Sequence, residues 1–156
     1  MTEGYRAVVL DTRAISALLD ARKPDHGDAQ RALGVLLAAR AADTADPSQA
    51  LFIVPALVVY EVRRGLLKRG NRRLLMQFDR LLRNHARVEP FDEVTADRAA
   101  EEWVARTRAG KTPGELDLLI AVTGAVLGAD VVTADDGFPE PAGVRLRRWG
   151  DVVDAG

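Results

Sequence analysis

Four carboxylates in this sequence stand where solubility alone does not explain a charge: Asp11, Glu61, Asp117 and Asp135. Asp11 closes the apolar run Ala7-Val8-Val9-Leu10, and Glu61 interrupts Ala56-Leu57-Val58-Val59-Tyr60 and Val62. Asp117 lies between Leu116 and Leu118, and Asp135 follows Val131-Val132-Thr133-Ala134. A carboxylate beside apolar packing needs a partner, because an unpaired buried charge is costly. Each acid has an ordinary explanation when taken alone. Asp11 reads as a helix cap, Glu61 as reaching solvent or pairing with Arg64, Asp117 as favoured by a helix N-terminus, and Asp135 as a turn residue. Gathered at one place they would repel unless cations lay between them. Oxygen-only ligands suit Mg²⁺ or Mn²⁺, which keep water in their shells. A pair of such ions activates water and steadies both oxygens of an in-line phosphodiester displacement.

Other chemistries lack their residues. The chain has no cysteine, which excludes a disulfide scaffold, thiolate zinc and thiol catalysis. His26 and His85 stand in polar contexts without a Ser or Cys nucleophile motif. No Walker loop or dinucleotide-binding glycine fingerprint occurs. Met1 to Arg6 is too short and polar for a signal peptide, and no apolar run reaches the roughly 18 residues that span a bilayer. The expectation is a cytoplasmic protein without a membrane segment. The net charge of -1 gives no overall basic coat, but its distribution is uneven. Residues 51–90 carry nine Lys/Arg against three Asp/Glu, and residues 91–156 carry seven against thirteen. Such a chain can hold a polyanion on one surface and cations at another. Arg63, Arg64, Lys68, Arg69, Arg72 and Arg73 form the main basic cluster, readable as a solvated helix face or as a backbone-binding surface for RNA. Phe52, Phe78, Phe91 and Phe138 are scattered, so no aromatic stacking platform is legible.

The elements that must position these acids follow from periodicity. Ala7 to Leu10 is short and rich in β-branched residues, a buried strand, and Ile15, Leu18 and Leu19 then recur at helical spacing. A polar turn over residues 23–28 leads to a second helix through Leu33, Leu36 and Leu37, and Asp46-Pro47-Ser48 signals a loop. Leu51 to Val54 is a second strand, with Pro55 in the first turn of a helix that carries Glu61 and ends near Gly70-Asn71. A helix through Leu74, Leu75, Phe78, Leu81 and Leu82 precedes a short strand, Arg87 to Pro90, and Thr95 opens a helix through Trp103. Thr112-Pro113-Gly114-Glu115 has the form of a capping box for an apolar helix that Gly128 stops. Asp130 to Thr133 is then a strand, Asp135-Asp136-Gly137 a turn, and Val144 to Arg148 an edge strand. Alternating strands and helices predict one α/β domain over residues 1–156. Its central sheet should be mainly parallel, of four to five strands, with helices on both faces. Functional groups on such sheets collect beyond the carboxyl ends of the strands, where Asp11 and Asp135 fall.

The segments Val8-Val9-Leu10-Asp11-Thr12, Val59-Tyr60-Glu61-Val62-Arg63-Arg64-Gly65, Asp117-Leu118-Leu119-Ile120-Ala121 and Val132-Thr133-Ala134-Asp135 resemble the successive motifs of PIN-domain ribonucleases. In size and layout the chain is most similar to the toxin half of bacterial VapBC toxin–antitoxin pairs. That resemblance implies a PIN-like fold in which Asp11, Glu61, Asp117 and Asp135 hold Mg²⁺ or Mn²⁺ and cut RNA. By the same resemblance Thr133 supports the last acid or positions water. It also implies a homodimer and an antitoxin whose peptide fills the active-site groove. The chain departs from the family at Arg13, where Asn usually follows the Asp-Thr pair. An arginine there either contacts phosphate or pairs with an acid and weakens metal binding, so a non-cutting RNA- or protein-binding module stands as the alternative. Asp136 competes with Asp135 for the last ligand position, while Glu115 fits a capping role. A receiver-type signalling domain fits less well, since no middle strand carries a phospho-acceptor aspartate.

Overall fold

The computed structural model describes residues 6–42 and 50–154. Its centre is β1 (Val8–Leu10), in which three consecutive side chains are all buried. Successive strand residues point to opposite faces, so burial of all three means both faces of the sheet are covered. The helix pair α1 (Thr12–Leu19) and α2 (His26–Ala42) carries the chain to β2 (Phe52–Pro55). The pair α3 (Ala56–Lys68) and α4 (Arg72–His85) carries it on to β3 (Ala86–Glu89). Then α5 (Glu93–Arg108) and α6 (Glu115–Leu127) return it across the sheet to β4 (Val131–Val132), before β5 (Leu146–Arg147) and α7 (Trp149–Asp154). The strand order is β3-β2-β1-β4-β5, parallel throughout, with Val8 opposite Phe52 and Val9 opposite Val131. The expected sheet is thus five strands, and entirely rather than mainly parallel.

This order reverses direction at β1. From β1 the chain steps outward one way, and from β3 it returns to β1's other side. Right-handed crossovers therefore send the helices after β1 and those before β4 to opposite faces, opening a crevice at the carboxyl ends of β1 and β4. The ladder runs past β1 itself: Asp11 N–H donates to the Val132 carbonyl at 3.2 Å, and Thr133 N–H to that of Arg147 at 2.9 Å. Acid and threonine are thereby fixed side by side.

Several boundaries differ from the sequence expectation. Pro55 ends β2 in extended geometry and precedes α3 rather than occupying its first turn. The helix expected from Thr95 starts two residues earlier, because the Asp92 carboxylate accepts from Thr95 N–H at 2.9 Å and caps it. The capping box at Thr112 does not form: Gly114 is extended, no side chain caps the helix, and α6 begins at Glu115. Gly128 ends α6 as expected, in the left-handed region at φ 64°. Gly70 terminates the preceding turn in the same way, and Asn71 caps α4 through Leu74 N–H. The expected Asp46-Pro47-Ser48 turn lies outside the described residues.

The short helix α7 was not anticipated, and it closes the core. Trp149, 3% exposed, donates from its indole to the Ala14 carbonyl at 3.1 Å. Its ring meets Phe52 edge-on with centroids 5.9 Å apart. It therefore clamps the first turn of α1 against β2.

The tightest packing is at Gly124 in α6. A Cβ there would lie 2.5 Å from Val131 Cγ2 and 3.1 Å from both the Ala129 carbonyl oxygen and Val144 Cγ2. Alanine raises intrinsic helix stability by about 1 kcal/mol. Overpacking a filled core costs typically 1–3 kcal/mol, and this contact is closer than real Cβ atoms adopt. The clash wins. Gly124→Ala should lower the midpoint of urea unfolding, and a midpoint at or above wild type would contradict the packing.

Candidate active site

The Asp11 side chain does two structural jobs. It is 4% exposed, and its Oδ1 accepts from Ala14 N–H at 2.7 Å, capping α1. Its carboxyl also accepts from the Thr133 hydroxyl. Thr133 Oγ1 in turn accepts from Asp135 N–H at 3.1 Å. One buried hydroxyl thus links the ends of β1 and β4. Burial pushes the Asp11 carboxyl up from 3.8 to about 6; the two hydrogen bonds pull against that rise, the Asp117 charge adds to it, and Arg13 opposes it.

Asp117 approaches from the first turn of α6. Its carboxyl is also raised, first by burial and then by the charges of Asp135 and Glu61, with Arg13 again opposing. Asp117 is therefore within electrostatic reach of all three other acids. The fold brings the four together, around a member that is only half-buried. Glu61 reaches the site from α3, lining a cleft of about 350 Å³ with Thr12, Arg64 and Arg69. It does not pair with Arg64, whose guanidinium lies over the Tyr60 ring, 5.1 Å from its centroid.

The competing candidates separate. Asp135 Oδ1 accepts from Gly137 N–H at 2.9 Å, and its charge bears on Asp117. Asp136 turns outward, 92% exposed, and pairs with Arg148. Glu115 is exposed and lines a hollow with Phe91, Trp103 and Leu118, roughly 200° around α6 from Asp117. Arg13 is exposed at the second residue of α1, with its charge acting on Asp11 and Asp117.

One group escaped sequence reasoning. Thr12 Oγ1 is buried without a hydrogen-bond partner, at the edge of the cleft that holds Glu61. An orphan hydroxyl beside repelling carboxylates suits a site completed by a hydrated cation or a phosphate oxygen. Among the described residues, no three acidic or histidine side chains already close a metal cage. The donor set still fits Mg²⁺ or Mn²⁺: Mg²⁺ commonly takes one or two carboxylates and keeps several waters.

The family model described as PIN domain matches residues 8–144. No curated protein matches the chain by sequence. Solved structures share its fold. VapBC2 of Rickettsia felis bound to a promoter DNA fragment is similar with TM-score 0.74 at 17% identity, covering 92% of this chain and 99% of that one. DNA-bound VapBC of Salmonella typhimurium gives 0.72 at 17%, covering 92% and 98%. VapC20 of Mycobacterium tuberculosis, a toxin that cleaves the sarcin–ricin loop, gives 0.62 at 20%, covering 85% and 92%.

A raised acid destabilises the fold as it ionises. Above its ordinary 3.8 the unfolded chain gives up the Asp11 proton, whereas the folded chain keeps it until about pH 6. Stability contributed by Asp11 therefore falls across that window as pH rises, by roughly 2 to 3 kcal/mol in total. Asn keeps the helix cap without the charge. In EDTA, Asp11→Asn should be the more stable protein at pH 8, and the gap should close below pH 4. Denaturant titrations at both pH values check this, and a gap independent of pH would contradict it.

Proposed function

The chain belongs to the PIN domain family, and from that premise we propose that it is a Mg²⁺- or Mn²⁺-dependent endoribonuclease, a hydrolase of RNA phosphodiester bonds. In this reading it acts in the cytoplasm as the toxin of a VapBC-type pair, held by a cognate antitoxin. The observation that carries the proposal is Asp117, which feels the charges of Asp135 and Glu61 while Asp11 feels its own. Three carboxylates within electrostatic reach of a fourth, Asp117, at the open end of a sheet suit cations and a phosphodiester.

Asp11, Glu61, Asp117 and Asp135 would hold the metal, which when bound makes water a stronger acid and offsets charge on the phosphate. The residues themselves divide the remaining work. The Thr133 hydroxyl donates to the Asp11 carboxyl and accepts from the Asp135 amide, so it positions two of these acids. Asp117 combines a raised proton affinity with partial exposure, and we assign it the proton of the attacking water. The water oxygen bonds to phosphorus as the opposite phosphorus–oxygen bond breaks, and the departing ribose oxygen takes a proton from solvent water to leave as a hydroxyl. Arg64 and Arg69 face the cleft beside Glu61 with positive charge.

The likeness in fold to VapBC complexes supports an antitoxin partner. A homodimer is supported by an apolar patch around α5, where Phe91, Val94 and Trp103 are 42%, 63% and 37% exposed.

Arg13 favours a second reading, in which the site binds RNA or a protein without cutting, because its charge opposes the proton affinity that gathers around Asp11 and Asp117. Calorimetric titration with Mn²⁺ separates the two: site-specific uptake goes with the nuclease, and none goes with the binding module. For the nuclease, RNA cleavage should require Mg²⁺ or Mn²⁺, and Asp117→Asn should slow it by about 10²- to 10⁴-fold. Cleavage in EDTA, or an undiminished rate in Asp117→Asn, would sink the mechanism.

A further inference from the structure

The cleft beside Glu61 adjoins a second one across Leu19, which lines both, and the second has a volume of about 560 Å³. One wall of that second cleft is α4, through Arg73, Gln77, Arg80 and Asn84. Their spacing of four, three and four residues puts them on a single helix face, and the row is roughly 16 Å long at 1.5 Å per residue. No carboxylate lines this cleft. On the opposite wall the polar groups are already engaged: His26 Nδ1 lies 2.8 Å from the Ala17 carbonyl, and Gln30 donates to that of Leu18 at 2.9 Å. What remains open is a row of nitrogen donors above an apolar floor.

The basic cluster of the sequence does not act as one body. Arg63 is taken up by Asp79 at 2.7 Å and by the Phe78 ring beneath it, where it holds α3 to α4. Arg69, Arg73 and Arg80 make no ion pair among the described residues, and they follow one another along the adjoining clefts away from Glu61.

We propose that these adjoining clefts are a track for single-stranded RNA, binding the flank of the strand on one side of the cut, with phosphates against Arg69, Arg73 and Arg80. This rests on the ribonuclease reading. An acidic peptide would meet the same donors. The strand is favoured because the track lies next to the cleft that carries Glu61, separated from it only by Leu19, so a strand whose scissile phosphate sat at the acids would have its flank beside these arginines. In the second cleft, arginine and amide donors with no carboxylate among them suit phosphate and unpaired bases irrespective of sequence.

The test is binding of a fluorescein-labelled oligouridylate, followed by anisotropy in EDTA over a series of KCl concentrations. For single strands the slope of log affinity against log salt is about 0.7 per phosphate contact, so Arg73→Gln/Arg80→Gln should flatten it by about 1.4. Arg72→Gln/Arg83→Gln removes equal charge from an exposed face of α4 outside the cleft and should leave the slope unchanged. Three equal slopes would overturn the track and leave the cleft to a protein partner. Equal flattening in both double variants would also overturn it, by showing that only net charge is felt. Cleavage with Mg²⁺ is measured alongside. Intact cleavage with an unaltered slope removes the track alone, whereas wild-type protein that neither binds nor cuts removes the ribonuclease reading too.

Discussion

A buried carboxylate that the fold both needs and resists sets the terms for this protein. Asp11 ends the central strand and starts the first helix, and no other side chain caps α1. The cap is worth about 1 kcal/mol, while confining an ionised group there costs more. The sheet absorbs that difference. Asp11 is stitched to Val132 by its own amide and to Thr133 by a hydroxyl, while Trp149 pins the turn it caps. The rigidity of the site and its cost have the same origin: acids can be held close together only by a core that does not yield when they repel.

Topology explains why these four acids meet. β1 and β4 are neighbours whose helices leave to opposite faces, so their carboxyl ends open into a crevice. Asp11 and Asp135 come from those ends, Asp117 from the first turn of α6, and Glu61 from the second turn of α3. Arg13, one helical residue past Thr12, brings a positive charge to the same crevice. Its charge lowers the proton affinity of Asp11 and Asp117 against the rise that burial and the neighbouring acids impose.

Much of this was legible in the residues. Val8-Val9-Leu10-Asp11 reads as a buried strand ending in an acid because burial on both faces demands an unbroken apolar run. Gly128 announced the end of α6 through a conformation that other residues adopt poorly. Where the reading failed, two local rules competed and tertiary packing chose between them. Asp92 outcompeted Thr95 as a cap, and the Thr112 box was left unformed at an extended Gly114. That Asp136 turns outward depends on Arg148, which pairs with it across a turn. The clamp by Trp149 on Ala14 joins opposite ends of the chain and leaves no periodic trace. The division of the basic cluster likewise required knowing that Asp79 and Phe78 face Arg63.

The order of strands also fixes when the site can exist. β1 emerges first in synthesis, yet one of its two neighbours is β4, near the other end of the chain. Until β4 docks, Thr133 and Asp135 are absent from the end of β1, and the crevice has only one wall. Pairings so distant in sequence form late, because closing the long intervening loop must precede the contacts that reward it. A growing or partly folded chain thus carries Asp11 and Glu61 without their companions. The acid cluster therefore exists only once β4 has docked beside β1.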